Sequence, residues 1–477
     1  MVTSGTTVTR TRRGTYGRGA GAAVTLCAAL SLLGAAPPLT APVSARAPAP
    51  ASAPLSAPAP APARAPEPAP VSAPAPAQAP RTDLVSTAAD GTQGDDRSLS
   101  ARISYDGRYV AFDSEASNLV PDDTNGTGDV FVRDRRSGTL TRAGVGDDGH
   151  QSEDGSWNAA VSGDGGTVGF DSADPALAPG ERPSGGSYAY VRDLRSGRTE
   201  SIGVGPDGEP FRRSSTAALS GDGRYAAFIG YADIPEPPFS RATLYLRDRE
   251  RGTTETVSGP LAPGPLLSDV SLSADGRHVA FRAYDDDRVN TTGAVYVRDR
   301  RTGLLTVVDH TPGDPRPVSR WYGEPSLSAD GRSIAYVTNR DGKPATHPQV
   351  LWEVFVHDLA TGRTVLAATA PDGGPLDRAA RSPRISPDGR HVAYTTAACA
   401  TAEPACRPAV YLRDLRQQGP AATRRVSVAE DGGFPDHGVS APVPARGGCQ
   451  VAFESDATNL VPRHPRRVTD IYLRHLC

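Results

Sequence analysis

The sequence holds one lysine, Lys343, among 51 basic residues, and one methionine. Arginine therefore carries nearly all the positive charge, a bias expected of a GC-rich bacterial coding sequence. Cysteine is scarce, at five, and tryptophan scarcer, at three. No Cys-x-x-Cys pair and no histidine cluster occurs, so a thiolate or imidazole metal centre is not expected. No Gly-x-Ser-x-Gly elbow is present, which excludes that form of serine nucleophile. The formal net charge is −3, and removing residues 1–45 takes away four arginines and no acid, giving −3 − 4 = −7. A mildly acidic chain is a poor partner for nucleic acid or an anionic membrane surface.

Long apolar runs are also missing, apart from Ala20 to Ala36. That run follows Arg10, Arg12, Arg13 and Arg18 and precedes Val43-Ser44-Ala45, so residues 1–45 read as a signal peptide. Export to the cell envelope or the medium is expected, with no membrane span left in the mature chain. Residues 46–81 are almost all alanine and proline, which cannot form a core and read as a disordered linker. About 40 such residues at roughly 3 Å each would reach on the order of 100 Å.

What is present is a repeat, and repeats decide the fold. Asp269 to Val308 shows the unit. An apolar residue precedes Ser-x-Asp-Gly, a short run ends in Phe or Tyr, a variable loop follows, and a last run ends in Arg-Asp before a Gly turn. The turn glycines are Gly107, Gly165, Gly223, Gly276, Gly331, Gly389 and, in a degraded copy, Gly447. Each unit reads as four strands, a to d, with period-two alternation and an Asp-Gly hairpin between a and b. Strand b carries the pattern of Val110-Ala111-Phe112, and strand c that of Val130-Phe131-Val132.

Four antiparallel strands repeated around an axis predict an all-β, seven-bladed β-propeller over residues 82–477. The last unit lacks strand d, and TDLVSTAADG at Thr82 matches RRVSVAEDG at Arg424. The N-terminal strand is therefore expected to complete the last blade and close the ring. Two cysteine pairs face each other across strands b and c. Disulfides Cys399–Cys406 and Cys449–Cys477 are expected in an oxidising compartment.

The motif Ser-x-Asp-Gly-Arg-x-(Val/Ile)-Ala-(Phe/Tyr), with a later (Ile/Val)-(Tyr/Phe)-Val-x-Asp, resembles the WD40-like, or PD40, propeller repeat of the TolB family. The resemblance covers residues 82–477 and implies the fold. This chain has no match to the α/β domain that precedes the propeller of TolB. Related propellers also serve as lids of prolyl-oligopeptidase-like enzymes, and some seven-bladed relatives are oligosaccharide lyases.

Loop content points to one face. The a–b and c–d turns are uniform, whereas the b–c and d–a loops vary, so function is assigned to the latter. Ser100, Asn158, Thr216, Asp269, Glu324, Ser382 and Ser440 each lie three residues before the end of a strand a, as a polar ring at the channel mouth. Arg102 and Arg384 follow two residues on. A polar or cationic ligand near Asp269 and Glu324 competes with a plain water-holding role. Trp157, Trp321, Tyr322 and Trp352 offer aromatic surface for a partner or a sugar. Asp123, Asn125 and Asp129, in DDTNGTGD, form a partial calcium loop. No other cofactor is expected. The favoured function is a monomeric, non-catalytic scaffold for an unidentified protein or glycan. The alternative is a polysaccharide lyase or glycoside hydrolase at the channel mouth.

Overall fold

The computed structural model describes residues 79–180, 182, 185–233, 240–259, 266–284, 293–308, 322–339, 351–370, 373–374, 376–398, 407–462, 464 and 466–477. These residues fold into seven four-stranded antiparallel sheets. Blade one runs Ser98–Ile103, Tyr109–Ser114, Asp129–Asp134 and Leu140–Arg142 for strands a to d. Strands a of blades two to seven are Ser156–Val161, Arg213–Leu219, Leu266–Leu272, Tyr322–Leu327, Ala380–Ile385 and Val439–Pro444. None of the described helices is long and apolar enough to cross a membrane.

The ring closes as the repeat predicts. Arg81–Leu84 pairs with Asp470–His475 and forms the outer strand of blade seven. Val85 N then donates to Ile471 O at 2.8 Å. The clasp is buried and polar. Ser86 Oγ donates to Asp470 Oδ1 at 2.6 Å, Gln93 Nε2 donates to Asp470 Oδ2 at 2.7 Å, and His464 Nε2 lies 2.9 Å from the same oxygen. The Cys449–Cys477 disulfide forms, with the Cα atoms 5.1 Å apart. Cys399 and Cys406 lie outside the described residues, as do the leader and nearly all of the Ala/Pro tract.

Each blade is held by one stacked aromatic pair across strands b and c. Phe112–Phe131, Phe170–Tyr190, Phe228–Tyr245, Phe281–Tyr296, Tyr336–Phe355, Tyr394–Tyr411 and Phe453–Tyr472 have centroids 5.3–6.0 Å apart. Such a pair adds about 0.5–1.5 kcal/mol beyond its burial. The Ser-x-Asp-Gly turn explains itself. Asp106 Oδ1 accepts from Ser104 Oγ at 2.7 Å and from Arg108 N at 2.9 Å, and Ser104 Oγ accepts from Tyr109 N at 2.9 Å. Arg108 then grips Asp134 of the c–d turn with two bonds, at 2.9 and 2.6 Å. Arg224–Asp248, Arg277–Asp299 and Arg390–Asp414 repeat that fork. The repeated aspartates are therefore turn staples.

The a–b turns also bond to one another around the axis. Tyr105 N reaches Gly163 O, Asp164 N reaches Gly221 O, Gly221 N reaches Ala274 O, Ala274 N reaches Ala329 O and Ala329 N reaches Pro387 O, all at 2.8–2.9 Å. Arg446 N closes onto Tyr105 O at 2.9 Å. Between blades six and seven this backbone bond is absent because Pro387 has no N–H to give, and the Gly447 N–H meets the Asp388 carboxylate instead. This belt ties the a–b turns to one another, and the polar ring positions lie towards the opposite, b–c/d–a end of the strands.

Candidate functional site

The mouth is built from a bulge. In every strand a, the register against strand b shifts by one residue near the polar ring position. Ser100, Asn158, Asp269, Glu324, Ser382 and Ala441 take positive φ, between 45° and 61°. Bulges re-aim side chains and free backbone groups, and strained non-glycine residues cluster at sites. Thr216 carries the bulge without positive φ.

One predicted position is corrected. The bulge in blade seven falls between Ser440 and Val443, and Pro444 pairs with Val451 as Ile103 pairs with Val110. Ala441 therefore stands where Ser440 was expected, and Gly448 is the turn glycine instead of Gly447. The two adjacent glycines hid the offset. A Cβ on Gly448 would meet the His391 ring at 2.7 Å, as one on Gly165 would meet Tyr109 at 2.0 Å. Each of these turns packs on the residue two past the turn glycine of the preceding blade.

Ser382 N is met by the ring residue Glu324, and three other freed N–H groups are met by carboxylates that the residue pattern did not single out. They follow the aromatic of strand b. Asp171 accepts from Thr216 N, from Ser215 Oγ at 2.7 Å and from Asn158 Nδ2 at 3.1 Å. Glu454 accepts from Ala101 N at 3.4 Å and from Ser440 Oγ at 3.0 Å. Asp113 accepts from Ala159 N at 3.5 Å. Burial outweighs these bonds at Asp171 and pushes its carboxyl up to about 6. Burial raises Glu454 as well. In the alternation of strand b these acids read as solvent-facing, which is why they were missed.

Asp269 and Glu324 do come together. Asp269 is exposed and Glu324 half-buried. Burial raises the Glu324 carboxyl; Arg384 and the Ser382 N–H hold it down, and Asp269 pushes it further up. Arg282, at 3.8 Å from Asp269, supplies a cation that sequence reasoning also missed. The mouth thus carries both signs of charge, with acids and arginines side by side.

The aromatics separate. Trp157 is 39% exposed at the mouth end of its strand. Trp352 is 3% exposed, so the expectation of a surface aromatic is corrected. It lies in strand c under the Arg381 guanidinium, 4.3 Å from the ring centroid. Trp321 and the Tyr322 side chain lie outside the described residues.

The calcium triad meets a cation of the chain's own. Arg142 Nε lies 3.2 Å from Asp129 and its Nη2 3.6 Å from Asp123. Asn125 Nδ2 turns to Ser152 O at 2.9 Å. The Arg142 guanidinium thus stands beside both carboxylates of the predicted triad. Asp129 is fully buried there, and burial lifts its carboxyl to about 6.

No family model matches the chain. A curated relative, dipeptidyl-peptidase 5 of Porphyromonas gingivalis, is 26% identical over an alignment of 183 residues that covers 36% of this chain. The match spans 24% of that relative's length. Among solved structures, the propeller domain of the trilobed protease of Pyrococcus furiosus is similar at 12% identity and TM-score 0.49, over 80% of this chain and 94% of that one. A structure assigned as TolB from Agrobacterium tumefaciens is similar at 15% identity and TM-score 0.36, over 72% and 95%. The expectation of a non-catalytic scaffold gives way here, because the recognisable sequence likeness is to a peptidase.

Proposed function

We propose that this is a peptidase-type propeller, whose channel mouth receives the peptide that a hydrolytic reaction acts on. The mouth geometry carries the reading. Asp269 and Glu324 face a peptide's amine with negative charge, and arginines stand beside them for its carbonyls and carboxylate. The partial likeness to a dipeptidyl-peptidase supports the substrate class. We further propose that the repeats are of the PD40 type and that the chain is exported and monomeric.

The test is a binding panel on the full chain. Free-ended tetrapeptides should raise its unfolding temperature, and the substitutions Asp269→Asn and Glu324→Gln should each weaken binding about tenfold, or 1.4 kcal/mol. Peptides without effect beside a neutral glycan that binds would overturn the reading.

A second reading rests on Glu324. A half-buried carboxyl with a raised proton affinity, beside the second acid Asp269, has the makings of a general acid for a glycoside. Turnover of an oligosaccharide that Glu324→Gln abolishes would move this reading ahead.

A further inference from the structure

Below the polar ring, the channel wall has a second layer, set by the residue before the last of each strand a. It holds Arg102, Ala160, Ala218, Ser271, Ser326, Arg384 and, by the corrected register, Val443. The serines are used by the scaffold. Ser271 Oγ accepts from Leu327 N at 2.9 Å, and Ser326 Oγ accepts from Ile385 N at 3.1 Å. The arginines are not. Arg102 Nη1 donates to Ala101 O at 2.9 Å, and Arg384 Nη1 to Pro383 O at 3.1 Å. Each bond is to the residue just before it in sequence.

This is unlike the staple arginines of the propeller. Arg108, Arg224, Arg277 and Arg390 each hold a carboxylate, and Arg142 lies between two. Among the described residues, no carboxylate lies within ion-pair distance of Arg102 or Arg384. Burial, and then the like charge of Arg384, push Arg102 down to about 10. It still carries its charge at neutral pH. Acids act on them only from beyond ion-pair distance, Glu454 and Asp113 on Arg102 and Glu324 on Arg384, and a part-buried cation without a direct partner is costly. Two of them in one layer add repulsion that an anion would remove. The planar guanidinium fork matches a carboxylate in two parallel bonds.

We propose that Arg102 and Arg384 form a carboxylate-binding site inside the channel, which takes the C-terminal carboxylate of the entering peptide. This rests on the peptide reading above. Asp269 and Glu324 lie outward of the pair, so the charges run from acid at the mouth to base within. A free peptide then enters with its carboxyl end first.

The experiment uses the full chain, one tetrapeptide as free acid and as C-terminal amide, and succinate against chloride at equal ionic strength. The free acid should bind about tenfold tighter than the amide, or 1.4 kcal/mol. Arg102→Gln and Arg384→Gln should each erase that preference. The unliganded double variant should unfold at no lower temperature than the wild type, because the repulsion is gone; a merely structural pair would lower it. Equal affinity for acid and amide, or a preference that survives both substitutions, overturns the proposal. If neither peptide binds, yet succinate raises the unfolding temperature of the wild type and not of Arg102→Gln, the carboxylate site stands and the peptide reading falls.

Discussion

Asp171 shows how the mouth is held at the scale of one side chain. Its carboxylate bridges three donors from two strands, and burial still keeps its proton affinity high, at about 6. The unfolded value is about 3.9. The folded state therefore binds the proton more tightly between those values. This group opposes stability above about pH 6, and the opposition fades as pH falls towards about 4. The turn aspartates act with the opposite sign. Arg390 holds Asp414 down to about 2, so its contribution is present above about pH 4 and is lost as pH falls towards 2. Unfolding curves of the wild type and Asp171→Asn between pH 4 and 7 check this. The wild type should gain stability relative to the variant as pH falls through 6; a constant difference would contradict the assignment. Neither sign was legible in the residues alone. A carboxylate after the strand-b aromatic reads as solvent-facing, and only the bulge of the next blade brings backbone donors to it.

At the scale of the element, most of the blade could be read from its letters. Ser-x-Asp-Gly specifies a turn because its Ser and Asp side chains bond to each other and back to the turn's own N–H groups. Phe112 and its counterparts alternate with small residues, so strand b could be placed with its aromatic inward. What could not be read was the bulge in strand a, since two residues opposite one leave no mark in composition. The offset in blade seven followed from the same blindness, with Gly447 and Gly448 equally good as turn residues. The disulfide was legible because strand pairing fixes which ends meet. Cys449 and Cys477 are 28 residues apart. Closing a loop of that length in the unfolded chain is worth about 3–4 kcal/mol. The double variant Cys449→Ser, Cys477→Ser should unfold at a clearly lower temperature by calorimetry, and superimposable traces would contradict this.

At the scale of the whole molecule, the ring depends on a clasp that joins the two ends of the propeller. Ser86 and Gln93 reach Asp470 across hundreds of residues of sequence. Blade one offers the same place to Arg142 with Asp123 and Asp129. The aligned position of Asp123 holds His464 in blade seven, so one framework site is filled in two ways. The belt of turn-to-turn bonds gathers the a–b end, and the charged bulges line the opposite end. The proposed peptide would enter at the end lined by the charged bulges.

The most direct test is photo-crosslinking of the full chain with a free-ended peptide that carries a photoreactive side chain. Adducts displaced by excess unlabelled peptide are expected on strand-a residues around Ser100, Asp269, Glu324 and Ser382. Displaceable adducts on the a–b turns, around Gly163, Gly221 and Ala274, would contradict it.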